Sequence, residues 1–144
     1  MSTHVRHETL SLSESLRAEA ERLGLDFLAE ILEVETERHP GNIDALAELG
    51  HTYTRQGRVD RGLAIDRELV RAVPTNPTVH YNLACSLALL GTKDEALDVL
   101  ERAVELGYCD PQFMLQDDDL AALRGESRFQ ALVRRLEAVR ARRT

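Results

Sequence analysis

The chain has 144 residues, enough for one domain with a sizeable core, and 43% of them are hydrophobic, as in an ordinary soluble globular protein. Aromatics make up 4%, tryptophan is absent and the formal net charge is −7, which argues against a nucleic-acid binder that stacks bases on aromatic side chains. No stretch approaches the roughly 20 apolar residues of a membrane span. Met1 to Ser13 holds no apolar leader segment, so no signal peptide is expected, and the expected location is cytoplasmic.

Residues 1–10 are polar and are expected to form a flexible N-terminus. Ser11 stands three before Glu14, a capping box that predicts a first helix. Leu12, Leu16, Ala20 and Leu23 follow at helical spacing, and Gly24 is read as its end. A second helix is predicted from about Asp26 to Arg38, with Phe27, Leu28, Ile31, Leu32 and Val34 inward, until His39-Pro40-Gly41 breaks it. Asn42 caps a third helix bearing Ile43, Leu46, Leu49, Gly50 and Tyr53, closed by Gly57. A fourth spans about Val59 to Ala72, with Leu63, Leu69 and Val70 on one face and Pro74 as its stop.

Asn76-Pro77 opens a fifth helix, an N-cap followed by proline at the first helical position. Val79, Leu83, Leu87 and Leu90 form its stripe, and Gly91 ends it. Thr92 and Glu95 make a second capping box for a sixth helix carrying Ala96, Leu97, Leu100, Ala103 and Val104, ended by Gly107. Asp110-Pro111 starts a short helix through Phe113, Met114 and Leu115. Asp117-Asp118-Asp119 caps another with Leu120 and Leu123, and Ser127 begins a last helix through Phe129, Leu132, Val133 and Leu136.

Across the middle of this series runs a 34-residue period: Pro40 and Pro74, Asn42 and Asn76, Leu49 and Leu83, Gly57 and Gly91, Leu63 and Leu97, and Val70 and Val104. Such a period marks an array of stacked helix pairs. Gly50 maps onto Ala84 and Gly62 onto Ala96. A mid-helix glycine costs about 1 kcal/mol relative to alanine, so small residues at these repeated positions predict close approach of the two helices of each pair.

The segment Leu46-Ala47-Glu48-Leu49-Gly50-His51-Thr52-Tyr53, with Gly62 and Pro74, resembles a tetratricopeptide repeat lacking its tryptophan. The next unit is looser, with His80, Leu83, Ala84 and Leu87, then Ala96 and Leu100. Residues 119–132 are similar to the closing segment often seen after such arrays. Asp66 departs from the pattern by standing where the family has a large aromatic; facing solvent, pairing with Arg102 or Arg67, and a looser contact are the alternatives.

The resemblance implies an all-α, tetratricopeptide-type superhelix of about three antiparallel helix pairs with C-terminal capping helices. One domain is expected over 11–136, with a degenerate repeat at 11–39, repeats at 42–74 and 76–107, and capping helices at 110–136. Residues 137–144 form a basic C-terminal end. The implied function is a protein-interaction adaptor, not an enzyme, binding a peptide or protein segment in a concave groove. Its binding residues would be Asp44, Ala47, Glu48, His51, Thr54, Arg55, Thr78, Tyr81, Asn82 and Cys85. Asn82 leads because its amide both donates and accepts; capping or bridging neighbouring helices is its other use. The groove offers no lysine, and Asp44 and Glu48 add negative charge, so a basic or neutral peptide is expected rather than a carboxylate.

Other chemistry finds little footing. His80 and Cys85 lie five apart, about 140° around a helix, and no His-x3-His or Cys-x2-Cys pair exists, so no metal and no cofactor are expected. No nucleophile elbow, phosphate loop or dinucleotide fingerprint is present. Residues 123–144 carry a net +5 against −12 for the rest. A solvated last helix is the plain reading of that tail, and no nucleic acid or membrane partner is expected; an RNA- or membrane-associated accessory role for the arginines is the remote one. Seventeen arginines against one lysine hint at a GC-rich bacterial coding sequence. The main alternative is a bacterial secretion-type chaperone, which such a size, acidity and repeat layout resemble. That reading predicts a homodimer through 11–39.

Overall fold

The computed structural model describes residues 13–144. Among them the chain forms seven α-helices and one 3-10 helix, with no strand: α1 (Glu14–Arg38), α2 (Ile43–Arg55), α3 (Val59–Ala72), α4 (Pro77–Leu89), α5 (Lys93–Glu105), α6 (Pro111–Gln116), the 3-10 helix η1 (Asp118–Leu123) and α7 (Ser127–Arg143). Each helix packs on its neighbour in the chain from α1 to α5, and η1 and α7 close the end against α4 and α5.

The caps are local chemistry. Asn42 Oδ1 accepts from the Ala45 amide, Asn76 Oδ1 from Thr78 and Asp110 Oδ1 from Phe113. Gly57 and Gly91 end α2 and α4 at φ 77° and 81°, a left-handed conformation that costs glycine no steric clash. Thr92 stands at the N-cap of α5 but makes no capping hydrogen bond, and Glu95, the other half of the box, pairs with Arg67 at 2.8 Å. The expected box there does not form.

The small residues sit where the helices touch. A Cβ on Gly62 would lie 2.5 Å from the Thr54 hydroxyl and 3.1 Å from the Gly50 carbonyl oxygen, and one on Gly50 would meet Ile65 at 3.0 Å. Ala84 and Ala96 are wholly buried in the equivalent places of the next pair. Two cores result. One joins Ala29, Leu32, Leu46, Leu49, Tyr53, Ile65, Leu69 and Val79; the other runs from Tyr81 through α5 to Phe129, Leu132 and Leu136 on α7, and Val70 packs against both.

The N-terminal region departs from expectation. Gly24 does not end a helix: α1 runs unbroken for 25 residues, capped by Ser13, whose hydroxyl accepts from Leu16. Ser11 and Leu12 lie outside the described residues. Nothing crowds Gly24 and no reversal is built there, so a glycine cost of about 1 kcal/mol is too small to break the helix. The buried stripe is Leu25, Ala29 and Leu32, because α2 packs on only one side of α1. Leu16, Leu23, Phe27, Ile31 and Val34 point outward. Tyr53 ties α1 down, its hydroxyl donating to Glu33 at 2.5 Å with Arg58 and Arg61 over its ring. Leu90 also lies outside, beyond the end of α4. At the other end α7 continues to Arg143 rather than stopping near Leu136.

These contacts fix an outcome. Gly62→Leu and Ala96→Leu each overpack a close helix crossing and should destabilise by about 1–3 kcal/mol in urea unfolding. Equal midpoints for both variants and wild type would contradict the packing.

Candidate functional site

The inner faces of α2 and α4 curve around a cavity of about 490 Å3, closed on the far side by Tyr108, α6 and the start of η1. Seven of the ten residues proposed from sequence line it: Ala47, His51 and Thr54 from α2, and Thr78, Tyr81, Asn82 and Cys85 from α4. Their spacing along each helix puts them on one face. Asn82 is exposed, and its side-chain amide makes no hydrogen bond to the described residues.

Asp44, Glu48 and Arg55 are not among the lining residues. Arg55 turns away from the groove, pairing with Glu21 of α1 at 3.3 Å and bordering a second hollow of about 390 Å3. Arg55 is the last residue of α2, about 100° round from Thr54, and its long side chain reaches across to the acidic face of α1.

The remaining lining residues were not foreseen: Gly50, Asp66, Ser86, Tyr108, Asp110, Phe113, Asp117 and Asp119. Five of them follow the second repeat, where the period gives no register to align them. Tyr81 and Tyr108 stack at 4.4 Å with planes 10° apart, and Phe113 tilts towards Tyr81 at 6.0 Å. The hydroxyl at Tyr81 donates to Asp117 Oδ2 at 2.7 Å, and the Cys85 thiol donates to the same oxygen at 3.7 Å. Asp117 Oδ1 accepts from the Asp119 amide at 3.0 Å. Burial raises the pKa of Tyr81 and Cys85, and the carboxylate of Asp117 adds to the shift in both. Both therefore stay protonated and donate. Tyr108 is pushed up to about 12, chiefly by burial.

Asp66 is buried rather than facing solvent or pairing with an arginine. Its Oδ2 accepts from Ser86 on the next repeat at 2.5 Å. Burial lifts its pKa to about 6, opposed by the Ser86 hydrogen bond and the nearby His51. Burial also raises Asp119, with help from the charge on Asp117.

A metal reading has one geometric basis. The Cys85 sulfur and carboxylate oxygens of Asp117 and Asp119 all lie within 4.8 Å of one another. The set does not fit an ion well, because its central carboxylate already accepts three hydrogen bonds and the thiol is held neutral, whereas a metal ligand must be thiolate. His80, the other candidate ligand, is buried away from this cluster, and its Nε2 donates to the Pro74 carbonyl at 2.8 Å.

Thirteen solved chains match this one, among them MamA AMB-1, with a TM-score of 0.57 at 23% identity. The fold is of the tetratricopeptide type. The match covers 76% of the present chain and 58% of MamA, so this chain spans little more than half the length of that neighbour. No protein-family model and no curated protein matches the sequence. Among the described residues no helix is long and apolar enough to cross a membrane.

The Asp66 environment sets a pH dependence. Its folded pKa of about 6 exceeds the 3.8 of an unperturbed aspartate, as in the unfolded chain. The folded state therefore binds the proton more tightly, and Asp66 contributes most stability below pH 4 and progressively less as pH rises through 6. Replacing it in Asp66→Asn should remove this decline, so the stability of the variant relative to wild type should rise by about 1–3 kcal/mol from pH 4 to pH 7. Urea titrations across that range check it, and parallel curves for the two proteins would refute it.

Proposed function

We propose that this chain is a protein-interaction scaffold that holds a segment of another protein across its concave face. The cavity between α2, α4 and the C-terminal cap is the observation that carries the reading. Its walls combine aromatic rings, small apolar groups and hydrogen-bonding side chains, the mixture that suits an extended or helical segment. Arrays of this type generally work through such curved surfaces. Cys85 and Cys109 are free thiols, in keeping with the reducing cytoplasm expected from sequence. The reading includes no catalytic step and no cofactor.

A second reading, the secretion-type chaperone working as a homodimer, draws support from α1. Leu16, Leu23, Phe27, Ile31 and Val34 are 47–66% exposed along one helix, an apolar row larger than scattered surface residues require. The arginines of the last helix offer weaker support for a nucleic-acid or lipid role. Arg134, Arg135, Arg140, Arg142 and Arg143 are spread over an exposed helix end, and none has an ion pair among the described residues.

Two experiments separate the readings. A photo-reactive benzoylphenylalanine at position 82, activated in cells, should trap a partner protein that the same probe at position 134 does not. Adducts at 134 alone would move the binding face to α7 and refute the scaffold reading of the groove. For the chaperone form, light scattering after gel filtration should give a dimer that Phe27→Glu/Ile31→Glu converts to monomer with unchanged helicity. A wild-type monomer would remove that form.

A further inference from the structure

The cavity lining contains Asp66, Asp110, Asp117, Asp119 and His51, but no lysine or arginine. The four carboxylates arrive from three places: Asp66 from α3, Asp110 from the N-cap of α6, and Asp117 and Asp119 from the start of η1. Nearby cations of the chain are engaged elsewhere. Arg67 pairs with Glu95, and Arg124 turns to Asp118 and to the backbone oxygen of Asp117. Carboxylates of one sign inside a walled cavity focus a negative potential.

Asp66 reaches the cavity from the seam between the repeats, where Ser86 holds one of its oxygens. It is only 6% exposed, yet its Oδ1 has no hydrogen-bond partner among the described residues and the residue borders the cavity. Beside the carboxylates stand the Tyr81–Tyr108 stack and Phe113, a ring 54% exposed at the rim.

We infer that this cavity receives a lysine or arginine side chain projecting from the bound segment. The inference rests on the scaffold reading of the same groove. Asp66, Asp110 and Asp119 offer charge-assisted hydrogen bonds to the cationic head, while Asp117, already accepting from Tyr81, Cys85 and the Asp119 amide, adds its charge. The exposed Phe113 ring accepts its methylene stem and attracts its charge through its face. The amide of Asn82 is free to bind the segment's backbone beside it. An acidic segment meets repulsion at every carboxylate, so the pocket selects as well as binds. A bound cation also offsets the burial that disfavours ionised Asp66 and Asp119.

The test is selection of random dodecapeptides on the immobilised full chain, followed by titration of synthetic peptides. Enriched peptides should share a lysine or arginine, and its replacement by norleucine should weaken binding roughly tenfold or more. Asp66→Asn and Asp110→Asn/Asp119→Asn, each confirmed folded by circular dichroism, should bind the lysine and norleucine peptides nearly alike. Peptides that need Asn82 but show no cationic preference would overturn this inference and leave the scaffold reading standing. If no enriched peptide responds to any groove substitution, both fall. Tight stoichiometric binding of Zn2+ alone, abolished by Asp119→Asn, would assign the carboxylates to a metal and overturn the inference as well.

Discussion

The close approach of α2 to α3 is the constraint on which the remaining structure depends. Gly62 lies so near the Gly50 carbonyl and the Thr54 hydroxyl that even a methyl would clash. That spacing brings Ile65 and Leu69 down onto Leu46, Leu49 and Tyr53, forming the first core. Wholly buried Ala84 and Ala96 preserve the arrangement in the next pair, with alanine in place of glycine. Since neither pair covers its own outer face, each requires a neighbour. The curve that opens the concave cavity is a product of that stacking.

Asp66 shows how a departure from the repeat pattern changes the interior. A large aromatic at this place would fill the inter-repeat space with apolar contact. The aspartate instead joins α3 to α4 through Ser86 and leaves one oxygen towards the cavity. Its buried carboxylate is a stability cost at neutral pH, and buried polar groups that cost stability commonly mark function rather than packing.

The sequence was most legible where it repeats. Pro40, Asn42, Gly57, Pro74, Asn76 and Gly91 bound α2, α3 and α4 because each acts locally, the asparagines through a side-chain oxygen and the prolines and glycines through their backbone, independent of distant contacts. Apolar spacing identified the buried faces of α2 and α5 for the same reason. It failed on α1, whose leucines surround the helix on several sides; only the position of α2 decides which of them are covered. The groove lining could be read from α2 and α4 because helical periodicity places side chains on a face. Arg55 escaped this logic at the helix end, and Asp66 because burial of a carboxylate has no sequence signal of its own.

The cap of the array explains why specificity was the least legible property. Tyr108 stands one 34-residue period after Pro74, and its ring stacks on Tyr81. Asp117 caps η1 and, with the same carboxylate, accepts from Tyr81 and Cys85 of α4. One residue thus fixes both the end of the array and a wall of its groove. A terminal unit has to differ from the repeats in order to shield the open core. Here its polar residues turn inward to the concave side, so the departure from periodicity that defeats alignment also supplies the groove with its charge.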